Sequence, residues 1–155
     1  MDNNLFPEDI EELEDVEELA EDADEIIGYK PAPYFDSNSG EFLFDGNGQI
    51  ITADGVEAWK QWCENIIATD RYNRASYTDD IGIDYTEIFK AGTHEEVETM
   101  LETEIAEALE CDPYGRTQFV QNITFEWISS TELAVCVEVV GLDNEIVTID
   151  TVLTA

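Results

Sequence analysis

Three successive stretches of the C-terminal third alternate apolar with polar residues, and no other feature limits the possible folds as strongly. Phe119, Ile123, Phe125 and Trp127 fall on one side of an extended chain, as do Leu133, Val135, Val137 and Val139, and then Val147, Ile149 and Leu153. A period of two marks a half-buried strand, because successive side chains of a pleated chain point to opposite faces. Gly141-Leu142-Asp143-Asn144 supplies the turn between the last two. The pattern predicts a three-stranded antiparallel sheet lying on a core with one face.

Upstream the period changes. Asp54-Gly55-Val56-Glu57 offers an N-cap acid with Glu three residues on, predicting a helix to about Ala68 whose Val56, Trp59, Cys63, Ile66 and Ile67 share a face. Thr69 to Gly92 reads as irregular, with a short helical segment near Asp84–Lys90. Thr93-His94-Glu95-Glu96 is a second capping box. It opens a helix with the stripe Val97, Met100, Leu101, Ile105, Ala108 and Leu109, ended by Asp112-Pro113-Tyr114-Gly115. Between Tyr34 and Ile51, short apolar runs alternate with turn residues, which predicts a β-hairpin or small meander. The fold class is therefore α+β: an N-terminal β-hairpin, two main helices and a C-terminal three-stranded antiparallel sheet, preceded by an acidic arm.

The arm sets the domain boundary. Residues 1–27 hold 13 acids and no base, and the reading divides the chain into an arm, 1–28, and an α+β domain, 29–155. Leu5, Ile10, Leu13, Val16 and Leu19 recur at helical steps within it, so it is either a solvated, frayed segment or a helix that orders against a basic groove on a partner. Either way it is expected to be dispensable for the core fold.

Charge then excludes partners. The 155-residue chain has 6 Lys plus Arg against 38 Asp plus Glu, a formal net charge of −32. Such a surface is repelled by nucleic-acid phosphates and by anionic membrane faces, since both associations depend on Lys and Arg. No nucleic acid and no membrane partner is expected; a protein with a cationic patch is. No run approaches the ~18 apolar residues that span a bilayer, and Met1-Asp2-Asn3-Asn4 does not open a secretory signal.

Catalytic and metal chemistry find little support. Asp45-x-Asn47-x-Gln49 opens like a calcium loop, but its sixth and twelfth positions are Ile50 and Val56 where Gly and Glu are needed, so a hairpin turn explains it better. His94 is the single histidine, has no nearby nucleophile, and is expected to face solvent. Among 38 acids some pair always meets a glycosidase spacing, so paired carboxylates are not informative. Cys63, Cys111 and Cys136 match no zinc or redox pattern and sit among apolar neighbours, which predicts core or near-core positions. No catalytic residue, cofactor site or metal site is predicted.

The distinctive region runs from Trp62 to Gly82. A helix ending Ile66-Ile67-Ala68 leads into Thr69-Asp70-Arg71-Tyr72 and then Tyr77-Thr78-Asp79-Asp80-Ile81-Gly82. Before it stand Phe35-Asp36, Gly40-Glu41-Phe42 and Asp54-Gly55-Val56-Glu57-Ala58; after it come Glu95-Glu96-Val97-Glu98 and Glu104–Leu109. Over roughly residues 34–140 this order resembles baseplate wedge proteins of contractile phage tails and tail-like bacteriocins. The likeness is to the branch from phages and prophages of Gram-positive bacteria, related to the sheath initiator once labelled a tail lysozyme. Asp70 stands where Glu is more usual in that family.

The resemblance implies a structural protein of the tail baseplate, without enzymatic activity. It would bind wedge neighbours through the loop of Asp70, Arg71 and Tyr72 and template the first ring of tail sheath through the C-terminal sheet. It implies multiple copies in a ring, in a virion or tail-particle baseplate assembled in the bacterial cytoplasm. The physical reading of Arg71 agrees, because a guanidinium offers a planar fork to carboxylates or carbonyls of a neighbour. The alternative is that Arg71 ties Asp80 or Asp84 within its own chain. Tyr72 and Tyr77 read as core or rim residues. A different class of function, an acidic DNA mimic that occupies the basic site of a nucleic-acid enzyme, fits the charge but not its concentration on a terminal arm.

The last strand adds one more candidate surface. From Ile146 to Ala155 the single charged side chain is Asp150, which suits either a strand edge awaiting a partner strand or a buried central strand. On the first reading Ile146, Thr148, Asp150 and Val152 bind the partner, and removing Thr151–Ala155 should spare most of the core.

Overall fold

The computed structural model describes residues 28–36, 39–73 and 78–155. The arm, including its helical reading, and Tyr77 lie outside the described residues. In chain order, β1 (Ala32–Pro33), β2 (Phe35–Asp36), β3 (Glu41–Phe42) and β4 (Thr52–Ala53) precede α1 (Gly55–Ala68). A single turn, α2 (Tyr85–Ile88), then leads to α3 (His94–Glu110). Strands β5 (Thr117–Trp127), β6 (Glu132–Gly141) and β7 (Ile146–Thr154) complete the α+β architecture.

The sheet has the order β5-β6-β7, antiparallel throughout, so β6 is central and β5 and β7 are both edges. Leu133, Val135, Val137 and Val139 of β6 are buried and meet Trp59, Cys63 and Ile67 of α1 and Leu101, Ile105 and Leu109 of α3 in one cluster. Both long helices therefore cover the same face. Thr93 caps α3 by accepting a hydrogen bond from Glu96 N at 3.2 Å, whereas Asp54 occupies the N-cap position of α1 without a side-chain bond. Met100, expected in the stripe of α3, is exposed; the buried arc is narrower, Val97, Leu101, Ile105, Ala108 and Leu109.

Two expectations fail for a local reason. Phe119 shares parity with Ile123 yet stands 47% exposed, and Val120 packs on the core instead. The register jumps between Val120↔Val139 and Asn122↔Glu138, leaving Gln121 as an extra residue, and jumps again around Gln118. Each such bulge advances the pleat by one residue and turns the side chains before it to the other face. Of the cysteines, Cys63 is buried, but Cys111 is exposed at the end of α3 and Cys136 is half-buried on the face of the sheet away from the helices. Apolar sequence neighbours do not place a residue inside when it falls on the outer phase of its strand or helix.

One buried ion pair was not anticipated. Arg116 and Asp112 are both buried, with Arg116 Nε and Nη2 donating to Asp112 Oδ2 and Oδ1 at 2.8 and 2.9 Å. The Asp112 carboxylate also accepts from the Arg116 and Tyr114 amides, and the guanidinium lies over the rings of Tyr114 and Trp62. The pair fastens the chain between α3 and β5. Its only trace in the sequence is an acid four residues before one of six bases.

Candidate functional site

The loop after α1 is held as a miniature parallel pair. Asp70 bridges Ile83, with Arg71 N donating to Ile83 O at 2.8 Å and Ile83 N to Thr69 O at 2.9 Å. Gly82 is required here, because φ is +91° and a Cβ would lie 2.5 Å from Thr69 O. This accounts physically for the glycine that follows Asp80 in the sequence element.

Arg71 is engaged within its own chain. Its Nε donates to Gly82 O at 3.0 Å and its Nη1 lies 3.1 Å from Glu104 Oε2 of α3, an ion pair whose carboxylate oxygen is buried. The intrachain acid is thus Glu104, not Asp80 or Asp84; the Asp84 carboxylate instead caps α2 by accepting from Glu87 N at 3.0 Å. Tyr72, expected at the core or its rim, is instead 66% exposed and adopts φ +67°. A tyrosine in the left-handed region and in solvent is uncommon, and such conformations concentrate at functional turns. Asp70 turns inward: Oδ2 accepts from Asn73 Nδ2 at 3.2 Å, while Oδ1 is buried without a partner among the described residues. Burial, together with the charge of Asp70, raises the Tyr85 phenol, whose hydroxyl donates to Ile67 O.

The second predicted surface is β7. Gly141 N donates to Glu145 O and Ala155 N to Thr131 O, both at 2.8 Å, and the register between these bonds is unbroken. In an antiparallel pair, hydrogen-bonded and non-bonded residues alternate. Val147, Ile149, Thr151 and Leu153 therefore exchange bonds with β6. Ile146, Thr148, Asp150, Val152 and Thr154 direct their N–H and C=O groups outward. The side chains of that same set are all exposed, while Val147, Ile149 and Leu153 are buried. The strand is an edge, not a central strand.

The structure brings part of the two surfaces together. Asp70, with Ile67, Tyr85 and Phe89, faces the end of β7 across a cleft of about 350 Å³, and Val152 lines its other wall. Ile146 sits at the far end of the strand. The truncation of Thr151–Ala155 is not the mild change expected, since Leu153 belongs to the core cluster.

Residues 33–144, well over half of the chain, match the family model for the contractile injection system sheath initiator. The chain belongs to the sheath initiator family. Membership makes it a structural component of a contractile injection system, found in a tail or baseplate particle and in contact with sheath and baseplate components. A search of curated proteins finds no match. The sheath initiator match takes in the hairpin, both long helices, the Asp70–Tyr72 turn, β5 and β6; it ends before β7. The outward row of β7 therefore stands on the geometry of this chain alone. Among the described residues, no cluster of three or more His, Cys, Asp or Glu is arranged to hold a metal ion, and no helix is long and apolar enough to cross a membrane.

Proposed function

We propose that this chain is a baseplate wedge component that binds its wedge neighbours through the Asp70–Tyr72 turn. It templates the first ring of tail sheath by accepting a sheath strand on the free edge of β7. It works without catalysis or a cofactor, in several copies around a ring, in particles assembled in the bacterial cytoplasm. The observation that carries this reading is the outward row Ile146, Thr148, Asp150, Val152 and Thr154. Main-chain donors and acceptors there can bind an added strand, and alternating side chains fix its register. Most edges are protected by bulges or charge; this one has neither along most of its length. Arg71, tied to Gly82 and Glu104, holds the turn that presents Tyr72 to the wedge.

Thr148→Pro tests the strand without harming the core. Proline at 148 removes an outward N–H and leaves the ladder to β6 intact, a placement that edge strands tolerate. Particles carrying it should contain the protein at normal amounts yet show tubes without sheath by electron microscopy. Full-length sheaths on those particles would refute strand addition at β7.

A further inference from the structure

The hairpin of β2, β3 and the turn that follows carries an apolar surface that the fold itself does not use. Phe42, Leu43, Phe44, Ile50 and Ile51 are 39–59% exposed, five of the twelve large exposed apolar side chains among the described residues, within ten positions. Phe44 bridges Ile50, and Phe42 pairs with Phe35, their rings edge to face at 5.4 Å. Consecutive extended residues point to opposite sides, so the exposure of Phe42, Leu43 and Phe44 means that neither side of this ribbon is covered. Among the described residues of 30–53, only Ala53 is buried.

The base of the ribbon is fixed. Gln61 of α1 accepts from Phe35 N and donates to Pro33 O, both at 2.9 Å. Its far end is shaped by Asp45, which accepts from the Asn47 and Gln49 amides at 2.8 and 2.9 Å. Those bonds hold the Asp45 carboxyl below its usual range, so it stays ionised. A two-stranded ribbon is marginal in water without a packed face, and an apolar patch of this kind on a monomer marks an interaction site.

Charge decides what covers it. Residues 31–59 contain five acids and no Lys, Arg or His, and Glu41 and Asp45 flank the aromatic row. A second copy would set these acids against their equals on a chain of net charge −32. The chain's own segment 1–27, with 13 acids and no base, is repelled in the same way. An anionic lipid surface is excluded by the same sign.

We infer that this ribbon, through Phe42, Phe44 and Ile50 on one side and Leu43 and Ile51 on the other, inserts between the walls of an apolar groove rimmed by Lys or Arg on a neighbouring protein. The groove is a two-walled slot, because both sides of the ribbon are apolar. This docking is separate from strand addition at β7 and does not rest on it.

The test replaces Phe44 by p-benzoylphenylalanine in the full chain, in cells expressing the genetic element that encodes it, and maps photo-adducts in whole cells by mass spectrometry. Adducts should fall on apolar residues of one other protein, beside Lys or Arg, and Glu41→Lys should lower their yield about fivefold through lost charge pairing. Phe44→Ser with Ile50→Ser should abolish adducts from position 42 without changing the melting temperature. Adducts confined to another copy of this chain, adducts to a surface without basic residues, or no adduct would overturn the inference. Co-flotation of the purified chain with phosphatidylcholine vesicles, lost in the double serine variant, would overturn it in favour of lipid. Adducts form whether or not particles assemble, so a failure of sheath templating leaves this result readable.

Discussion

β5 and β7 flank the same central strand, yet one edge is closed and the other left open. β5 carries extra residues at Gln118 and Gln121, and each end is pinned by an indole. Trp59 Nε1 donates to Thr117 Oγ1 at 3.0 Å, and Trp127 Nε1 donates to Glu98 Oε1 at 2.8 Å, with His94 stacked on the Trp127 ring. β7 keeps nine consecutive partners on β6 without a bulge, and among the described residues no side-chain hydrogen bond ties it to a helix. Bulges tilt main-chain groups out of line and discourage pairing, whereas a straight, weakly charged edge invites it. The difference teaches which edge of this sheet is straight and free of bulges, something that composition does not separate.

The largest effect expected from this contrast is between neighbouring positions of β7. Ile149→Ala, at a core-facing position that is 2% exposed, should cost about 2–5 kcal/mol in urea unfolding. Val152→Ala, on the outward row, should stay within about 0.5 kcal/mol. Equal costs would show that the outward row is packed and that β7 is not free.

A smaller effect measures how firmly β5 is held. Trp127→Phe keeps the ring on His94 but removes the N–H given to Glu98, and should cost about 1 kcal/mol by the same measurement. If β5 lost nothing, its closure would rest on the bulges alone.

The smallest effect reads the outward row electrostatically. Cys136 sits opposite Asp150, whose carboxylate accepts the thiol hydrogen bond and raises the thiol above its ordinary range. Asp150→Asn, in a Cys111→Ser background, should move the onset of Cys136 alkylation to lower pH. Folding stability should not change measurably, because the group lies in solvent. An unmoved onset would show that Asp150 does not face Cys136.

Much of the fold can be read without coordinates. Alternation marks β6 and β7 and most of their buried residues, because the ladder between the two strands has no bulge. Candidate N-cap residues mark the starts of both helices, although the Asp54 side chain makes no cap bond. In β5 the alternation holds only from Ile123 onward, since a bulge leaves no mark in composition and moves Phe119 to the other face. The exposed hairpin showed the same limit: Phe42-Leu43-Phe44 reads as a strand, and its lack of cover does not show in the sequence.

The sequence by itself determined local preference and charge: where the chain is helical, where it is extended, and how acidic it is. Only the tertiary structure decided which extended segment lies at an edge, which of its main-chain groups point outward, and that Glu104 holds Arg71. These are long-range facts. Strand order and ion-pair choice depend on which segments meet after collapse, and a one-residue slip or one bulge reverses a face at no cost that local propensity records.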